Sequence, residues 1–208
     1  MLPEGFVYLD EIVPGFCWDA RYATCDNLTG APLAGYLVNR VVGSRALAEA
    51  LIPAAAWFAG LGYRLYGFDA YRPQRGVQSF VDWARRPEDG RTKAKYYPAL
   101  DKGELFPLGY IAERSGHSRG GSIDLTLADA EGKPIDMGGH FDLMDDSSHL
   151  DYRDLTAEQL ENRRTLLEGM LRFGFKSYIN EWWHYSLIDE PYPDTYFEFP
   201  VSSGYLKR

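Results

Sequence analysis

The stretch Ser115-Gly-His-Ser-Arg-Gly-Gly-Ser-Ile-Asp-Leu-Thr-Leu127 decides the fold, because its second half alternates as a strand does. Apolar side chains at positions 123, 125 and 127 alternate with polar ones at 122, 124 and 126, which predicts one core face and one polar face. The paired glycines Gly120 and Gly121 do not suit a helix interior and predict a turn that leads into the strand. His117 therefore lies on the approach to the strand, and Asp124 lies on its polar face.

Further elements are predicted on both sides of this strand. Alternation predicts additional strands over 63–69 and 177–187, and helical patterns cover 44–60, 73–83 and 156–174. Pro53 predicts a kink or break in the helix over 44–60. In the helix over 156–174, Thr156 and Gln159 form a capping box at the start, and Gly174 ends the helix. The Tyr- and Pro-rich residues 192–200 are expected to be irregular chain wrapped on the core.

The order of these elements indicates the fold class. Helices and strands are interspersed without a regular βαβ rhythm, and the chain has no internal repeat and no Gly-rich dinucleotide or phosphate loop. A length of 208 residues is ordinary for one domain. We therefore predict an α+β fold, a single domain over 1–208, with a mainly antiparallel central sheet flanked by helices.

Composition excludes several classes of protein. The 45% hydrophobic and 25% charged residues are those of a globular protein, and the formal charge of −8 argues against nucleic acid or an anionic membrane as a partner. No stretch approaches the roughly 20 apolar residues of a membrane span, and the N-terminal residues do not resemble a secretory signal, so we expect a cytoplasmic protein. The sequence does not define an oligomeric state.

Cysteine and histidine are both scarce. Cys17 and Cys25 are too few for a disulfide scaffold or a Cys-rich zinc module, and free, mostly buried thiols are favoured over a disulfide between them. Chemistry that depends on imidazole is limited to four candidates: His117, His140, His149 and His184.

The first candidate site pairs His117 with Asp124. A bend between the approach and the strand can bring these two side chains to one point, and imidazole and carboxylate are both competent zinc ligands. Alone, the spacing is a weak signal and favours a polar loop with a surface histidine and an ordinary strand aspartate.

The second candidate is Glu181-Trp-Trp-His184-Tyr185, in which a carboxylate precedes an imidazole by three residues. Hydrolytic zinc sites pair a histidine ligand with a glutamate base. On a regular strand these two residues would point to opposite faces, so they share a site only if the chain bends or bulges between them. The alternative is an aromatic core strand with a hydrogen-bonded histidine.

Together the two segments supply His117, Asp124 and His184, a three-ligand set that leaves a fourth position for water, as in catalytic zinc sites. Glu181 is then the nearby group for acid–base chemistry. A third segment places Arg72 before Pro73, which opens a helix and favours an extended Arg72. That arginine can hold a substrate carboxylate or stabilise an oxyanion, or it can form a surface salt bridge with Asp69.

Three motifs of this chain match one family pattern: Ser115-x-His117-x-x-Gly120-x-x-Ile123-Asp124, Glu181-Trp-Trp-His184-Tyr185 and Asp69-x-Tyr71-Arg72-Pro73. With them the protein resembles the VanX-type D-alanyl-D-alanine dipeptidases, zinc enzymes whose wider family includes D,D-carboxypeptidases of peptidoglycan. Further similarity extends the resemblance over about residues 19–201. The family usually has Ala where Ser122 stands.

The resemblance implies a role for each matching residue. His117, Asp124 and His184 would bind one zinc ion per chain, over the antiparallel sheet of an α+β fold. Glu181 would be the catalytic base and Arg72 would stabilise the transition state. The resemblance also implies that Ser115 helps to hold the C-terminal carboxylate of the substrate and that Asp142 receives its ammonium group.

The implied activity is hydrolysis of D-alanyl-D-alanine, a small zwitterionic dipeptide, to two D-alanines, in vancomycin-type resistance or in recycling of cell-wall dipeptides. One alternative is a D,D-carboxypeptidase that trims longer peptidoglycan peptides. Another is a zinc-stabilised binding module without turnover, although such a module has no need of both Glu181 and Arg72.

Overall fold

The strand predicted at 122–127 is the central strand of the main sheet in the computed structural model, which describes residues 2–203. The strands are β1 Phe6–Tyr8, β2 Cys17–Trp18, β3 Val42–Ser44, β4 Arg64–Asp69, β5 Ser122–Ala128, β6 Phe175–Tyr178 and β7 Glu181–Leu187. The α-helices are α1 Leu9–Ile12, α2 Arg45–Gly60, α3 Gln74–Ala84, α4 Lys93–Tyr96 and α5 Ala157–Arg172. Short 3₁₀ turns connect several of them.

The main sheet has five strands in the order β2-β4-β5-β7-β6. The short β2 is parallel to β4, and every other neighbouring pair is antiparallel. β1 and β3 form a separate antiparallel pair. Every residue of β5 is buried, so both faces of the central strand are covered. This is the predicted α+β single domain with a mainly antiparallel sheet.

The two long helices, α2 and α5, pack against each other and against the sheet. Gly169 on α5 makes this approach possible, because a Cβ there would lie 2.3 Å from the ring of Phe58 on α2. Ser44 caps α2 by accepting a hydrogen bond from the Leu47 amide. The helix is continuous through Pro53, so the predicted break is not observed. Pro53 is on the exposed side of the helix, so the carbonyl that its missing N–H leaves without a partner is not sealed in the core.

Several predicted boundaries need correction. The segment 177–187 is part of a hairpin rather than one strand, because the chain turns at residues 179–180 between β6 and β7. Pro73 is the residue before α3 and not its first helical residue. At α5 the Thr156–Gln159 capping box is present as predicted, and Gly174 follows the helix with a φ of +85°.

The remaining sequence predictions concern the tail and the thiols. Residues 188–203 contain no helix or strand beyond an isolated bridge at Val201, as expected, and their aromatic rings pack on Phe6 and Tyr71. Cys17 and Cys25 are both free, but Cys25 is exposed and Cys17 only half-buried, so the prediction of buried thiols is wrong. None of the helices within residues 2–203 has the length and apolar character needed to cross a membrane.

Candidate metal centre and active site

The candidate site lies where β5 and β7 pair, because their register places Asp124 directly opposite His184. His117 reaches the same point from a 3₁₀ turn, Gly116–Arg119, that immediately precedes β5. Ser115 caps this turn by accepting a hydrogen bond from the His117 amide, and Gly120 ends it with a φ of +78°. The glycine pair therefore ends a tight helical turn that brings the histidine back toward the strand.

Three candidate ligand atoms converge at this point: His117 Nε2, His184 Nδ1 and Asp124 Oδ1. The two histidine nitrogens are 3.1 Å apart, and Asp124 Oδ1 lies 3.3 Å from the first and 2.9 Å from the second. Ligands about 2.0–2.2 Å from a tetrahedral ion are separated by about 3.3–3.6 Å, so an opening of the cluster by a few tenths of an ångström accommodates zinc. The spacing and the ligand types therefore fit a metal ion.

The outer nitrogens of both histidines are also held. His117 Nδ1 lies 2.6 Å from the carbonyl oxygen of Ala70, which can only accept, so this nitrogen carries the proton and Nε2 presents its lone pair to the cluster. His184 Nε2 lies 3.1 Å from the hydroxyl of Ser186, which in turn is 2.8 Å from the hydroxyl of Ser122. Ser122, the position at which this chain departs from the family's usual Ala, thus supports the ring of His184.

The protonation of the cluster also suits a cation. Burial alone would raise the pKa of Asp124, but the neighbouring His117 and His184 outweigh it and hold that pKa below its usual range. Burial lowers the pKa of the His184 imidazole. An ionised Asp124 carboxylate beside a neutral His184 imidazole is the state in which these two groups bind a metal.

Glu181 reaches the cluster because of an irregularity in the hairpin. Ser177 pairs with Tyr185 but Tyr178 pairs with Glu181, so the residues between bulge out of the β6–β7 ladder. The bulge removes the objection that residues three apart on a strand face opposite ways: Glu181 Oε2 lies 4.0 Å from His184 Nδ1. Burial first, and then the charges of Asp124 and Asp142, raise the pKa of Glu181 well above its ordinary value. A carboxyl with a raised pKa is suited to accept and return a proton.

Arg72 is fixed beside the cluster by buried partners. Its Nε donates to Asp69 Oδ2 at 3.0 Å, and its guanidinium lies 4.7 Å from the ring centre of Tyr22 and 3.5 Å from Asp124 Oδ2. Asp69 accepts a second hydrogen bond, of 2.6 Å, from the hydroxyl of Tyr36. The ion pair between Arg72 and Asp69 is therefore present, but it is buried inside the site and not on the surface.

A cavity of about 260 Å³ opens onto the cluster. It is smaller than the roughly 300–1,000 Å³ of pockets for drug-sized ligands, so it suits a small molecule. Its charged lining residues are Arg72, Arg114, Asp124, Asp142 and Glu181, and Ser115 also lines it. The cavity therefore offers both cationic and anionic groups, as a zwitterion requires.

Asp142 is the most unusual carboxyl of this cavity. It has a φ of +63°, it is 4% exposed, and both of its oxygens lie within 3.0 Å of the hydroxyl of Tyr22. Burial, reinforced by the charge of Asp124, raises the pKa of Asp142 to about 7. The sequence motifs did not single out Tyr22, although it lies within residues 19–201, over which the family resemblance extends.

The other two histidines lie outside the cluster, as expected. The ring nitrogens of His140 are each 2.8 Å from backbone carbonyl oxygens, those of Phe141 and Lys95. His149 Nε2 lies 3.0 Å from the hydroxyl of Tyr110, so this histidine supports a residue of the cavity wall.

Comparisons with known proteins agree with this geometry. The fold and the site define a hydrolase of the metallopeptidase class. A family model described as D-Ala-D-Ala dipeptidase, of peptidase M15, matches residues 3–202, and the chain belongs to this family.

Relatives and one solved structure are also similar. The chain is 52% identical to a D-alanyl-D-alanine dipeptidase of Streptomyces coelicolor, covering 95% of this chain and 98% of the relative. It is 50% identical to a D-alanyl-D-alanine dipeptidase of Enterococcus faecalis, and the match covers 97% of this chain and 100% of the relative. It is 32% identical to a D-alanyl-D-alanine dipeptidase of Escherichia coli, and the match covers 87% of this chain and 83% of the relative. A crystal structure of a vancomycin-resistance D,D-pentapeptidase VanY mutant with Zn(II) covers 74% of this chain and 77% of that one, with 15% identity and a TM-score of 0.45.

Proposed function

We propose that this protein is a zinc-dependent dipeptidase that hydrolyses D-alanyl-D-alanine to two D-alanines. The observation that supports it most is the convergence of His117, Asp124 and His184 beside Glu181, in a chain that is about half identical to D-alanyl-D-alanine dipeptidases over nearly its whole length. The cavity of about 260 Å³, with groups of both charges, suits a free zwitterionic dipeptide better than a longer peptide.

The proposed ligands of one zinc ion are His117 Nε2, Asp124 and His184 Nδ1. When bound, the ion supplies Lewis-acid polarisation of the scissile carbonyl and makes a nearby water more acidic. Glu181 then accepts a proton from the attacking water and returns it to the nitrogen of the departing D-alanine. The raised pKa of Glu181 suits it both to accept this proton and to return it.

Arg72 provides the second charge that the reaction needs. Its guanidinium is held by Asp69 and by the ring of Tyr22, so it is preorganised before the oxyanion develops. Such a donor is typically worth about 100- to 1000-fold in rate. We assign the substrate carboxylate to Ser115 and the substrate ammonium to Asp142, which lie in the lining of one cavity.

The decisive variant is Glu181→Gln, which keeps the size of the side chain and removes its base. We expect it to retain about one zinc per chain by metal analysis and to lose nearly all hydrolysis of D-alanyl-D-alanine. Glu113→Gln is the matched control, because Glu113 is 74% exposed and outside the cavity lining. Full activity of Glu181→Gln would show that another group is the base.

Substrate choice is tested with three peptides. We expect turnover of D-alanyl-D-alanine and little of L-alanyl-L-alanine or of a pentapeptide that ends in D-Ala-D-Ala. Preferred cleavage of the pentapeptide would make the protein a carboxypeptidase. Zinc binding without turnover of any of the three would make it a binding module.

A further inference from the structure

Tyr71 belongs to the motif Asp69-x-Tyr71-Arg72-Pro73, but the proposed reaction gives it no role. Its two neighbours in the chain both serve the site. The carbonyl oxygen of Ala70 holds His117 Nδ1 at 2.6 Å, and Arg72 supplies the guanidinium. Tyr71 itself is 1% exposed and does not line the active-site cavity, so its side chain acts on another part of the protein.

The hydroxyl of Tyr71 holds one residue of the C-terminal segment by both of its backbone groups. It donates to the carbonyl oxygen of Phe199 at 2.9 Å and accepts from the Phe199 amide at 2.9 Å. The rings of the two residues are stacked, with their centres 4.0 Å apart. Because a hydroxyl both donates and accepts, Tyr71 satisfies the two backbone groups that a neighbouring strand would otherwise satisfy.

The backbone on either side of Phe199 is bonded to two other segments. The amide of Phe197 donates to the carbonyl oxygen of Ser118 at 2.8 Å. The amide of Val201 donates to the carbonyl oxygen of Gly35, and its own carbonyl oxygen accepts from the Leu37 amide, both at 2.8 Å. Residues 197–201, here called the strap, therefore connect the chain at 35–37, at 71 and at 118.

Each of these three places is next to a group of the site. Ser118 follows the candidate ligand His117, and its buried hydroxyl donates to the carbonyl oxygen of Arg72 at 2.8 Å. The amide of Arg72 in turn donates to the carbonyl oxygen of His117 at 3.3 Å. Tyr36, between the two residues that pair with Val201, holds Asp69, the partner of the Arg72 guanidinium. A displaced strap would therefore change the distance between Arg72 and the metal-ligand turn.

We propose that Tyr71 is a positioning residue: its hydroxyl anchors the strap, and the strap fixes the guanidinium of Arg72 relative to the turn that carries His117. The proposal rests on the proposed hydrolysis, in which Arg72 stabilises the oxyanion. A misplacement of about 1 Å far from the chemistry can cost about 100-fold in rate. Because the strap keeps its other contacts when this hydroxyl is removed, we expect a smaller loss, of about tenfold.

Tyr71→Phe tests the anchor, since it removes the hydroxyl and keeps the stacked ring. We expect kcat for D-alanyl-D-alanine to fall about tenfold, with KM changed by less than about twofold and about one zinc per chain, because Arg72 acts on the transition state. Thr156→Ala is the matched control. It also removes one hydroxyl that holds a backbone amide, that of Gln159, but its place is the start of α5, and it should leave kcat unchanged.

A double-mutant cycle separates positioning from general weakening of the fold. In an Arg72→Ala background the position of the strap no longer matters to the oxyanion, so adding Tyr71→Phe should lower kcat by less than about twofold further. Ser118→Ala is the second variant, because it breaks the bond between the metal-ligand turn and the Arg72 carbonyl without touching the anchor. We expect it to lower kcat about tenfold as well.

Amide hydrogen exchange of the zinc-loaded protein tests the anchor without any turnover. In Tyr71→Phe the amides of Phe199 and Arg72 should exchange about tenfold faster, the effect typical of losing one or two hydrogen bonds, while the Gln159 amide is unchanged. Thr156→Ala should show the reverse pattern.

Three results would overturn the proposal. The first is a kcat of Tyr71→Phe within about twofold of that of Thr156→Ala. The second is a full tenfold loss when Tyr71→Phe is added to Arg72→Ala, and the third is unchanged exchange of the Arg72 amide. If the wild type hydrolyses no D-alanyl-D-alanine, the proposed function has failed, and the exchange measurement still decides whether Tyr71 anchors the strap.

Discussion

Replacing Asp142 by Asn isolates the cost of keeping a carboxyl ionised inside the active-site cavity. The folded protein holds the pKa of Asp142 at about 7, against 3.8 for the ordinary carboxyl. Asn keeps the acceptor oxygen for the hydroxyl of Tyr22 but has no charge to bury. The variant therefore removes one electrostatic penalty with little change in shape.

The sign and size of the effect follow from the two pKa values. Between pH 3.8 and about 7 the unfolded carboxyl is ionised while that of folded Asp142 retains its proton, so unfolding releases a proton and stability falls as the pH rises. At about 1.4 kcal/mol per pKa unit, the penalty is about 2 kcal/mol at pH 5 and about 4 kcal/mol at pH 8. Asp142→Asn should therefore gain about 2–3 kcal/mol relative to wild type between these two conditions.

Urea unfolding of wild type and variant at both pH values measures this difference. Both proteins are kept metal-free, because a bound cation would itself lower the pKa of Asp142. Asp136→Asn is the control. Hydrogen bonds, first from Gln159, hold the pKa of Asp136 below its usual value, so removing that charge should give no gain at the higher pH. A difference between variant and wild type that is the same at both pH values would refute the reasoning. With zinc bound, the same variant should lose kcat/KM for D-alanyl-D-alanine despite its greater stability, because the proposed site loses the carboxylate assigned to the substrate ammonium.

Three further variants test other parts of the structure. Ser186→Ala should weaken zinc binding about 10- to 100-fold in chelator competition, because His184 loses the partner of its outer nitrogen; unchanged affinity would contradict this support. Asp69→Asn should lower kcat/KM about 10- to 100-fold with zinc content unchanged, because Arg72 loses its ionic anchor; a loss of zinc instead would place the effect at the ligands. Thr156→Ala should lower the free energy of unfolding by about 1 kcal/mol in urea and leave activity unchanged, because it removes the helix cap; an unaltered midpoint would mean that the cap is dispensable.

The sequence predicted the elements that have strong local patterns. The alternation at β5 and the capping box of α5 are local features, and the structure confirms both of them. β1, β2 and β3 were not predicted, because strands of two or three residues are too short to show alternation and form only when a distant partner is present. The hairpin turn at 179–180 was missed since aromatic residues lie on both sides of it, at Tyr178 and Trp182, and no glycine marks it.

The candidate site was predictable as a set of residues but not as an arrangement. Motif spacing brought His117, Asp124, His184 and Glu181 together as candidates, and the structure places them within a few ångströms of one another. What made Glu181 compatible with the rest is the bulge in β7, which depends on register with β6 and has no signature in the sequence. Asp69, which anchors Arg72, is only three residues away in the chain, but Asp69 is itself held by Tyr36, and that contact between distant residues has no signature in the sequence.

β5 shows why alternation alone cannot assign function. Ser122, Asp124 and Thr126 share one face of the strand and are all buried, so periodicity treats them as equivalent. Their environments differ because different segments are packed over each of them. Ser122 meets Ser186 and forms a structural hydrogen bond, and Asp124 meets two histidines and forms a candidate metal centre. Thr126 is enclosed by the interior, and its hydroxyl has no hydrogen-bond partner within residues 2–203. Since a strand fixes only the face and the spacing of its side chains, the chemistry of each position is decided by the loops and neighbouring strands that cover it.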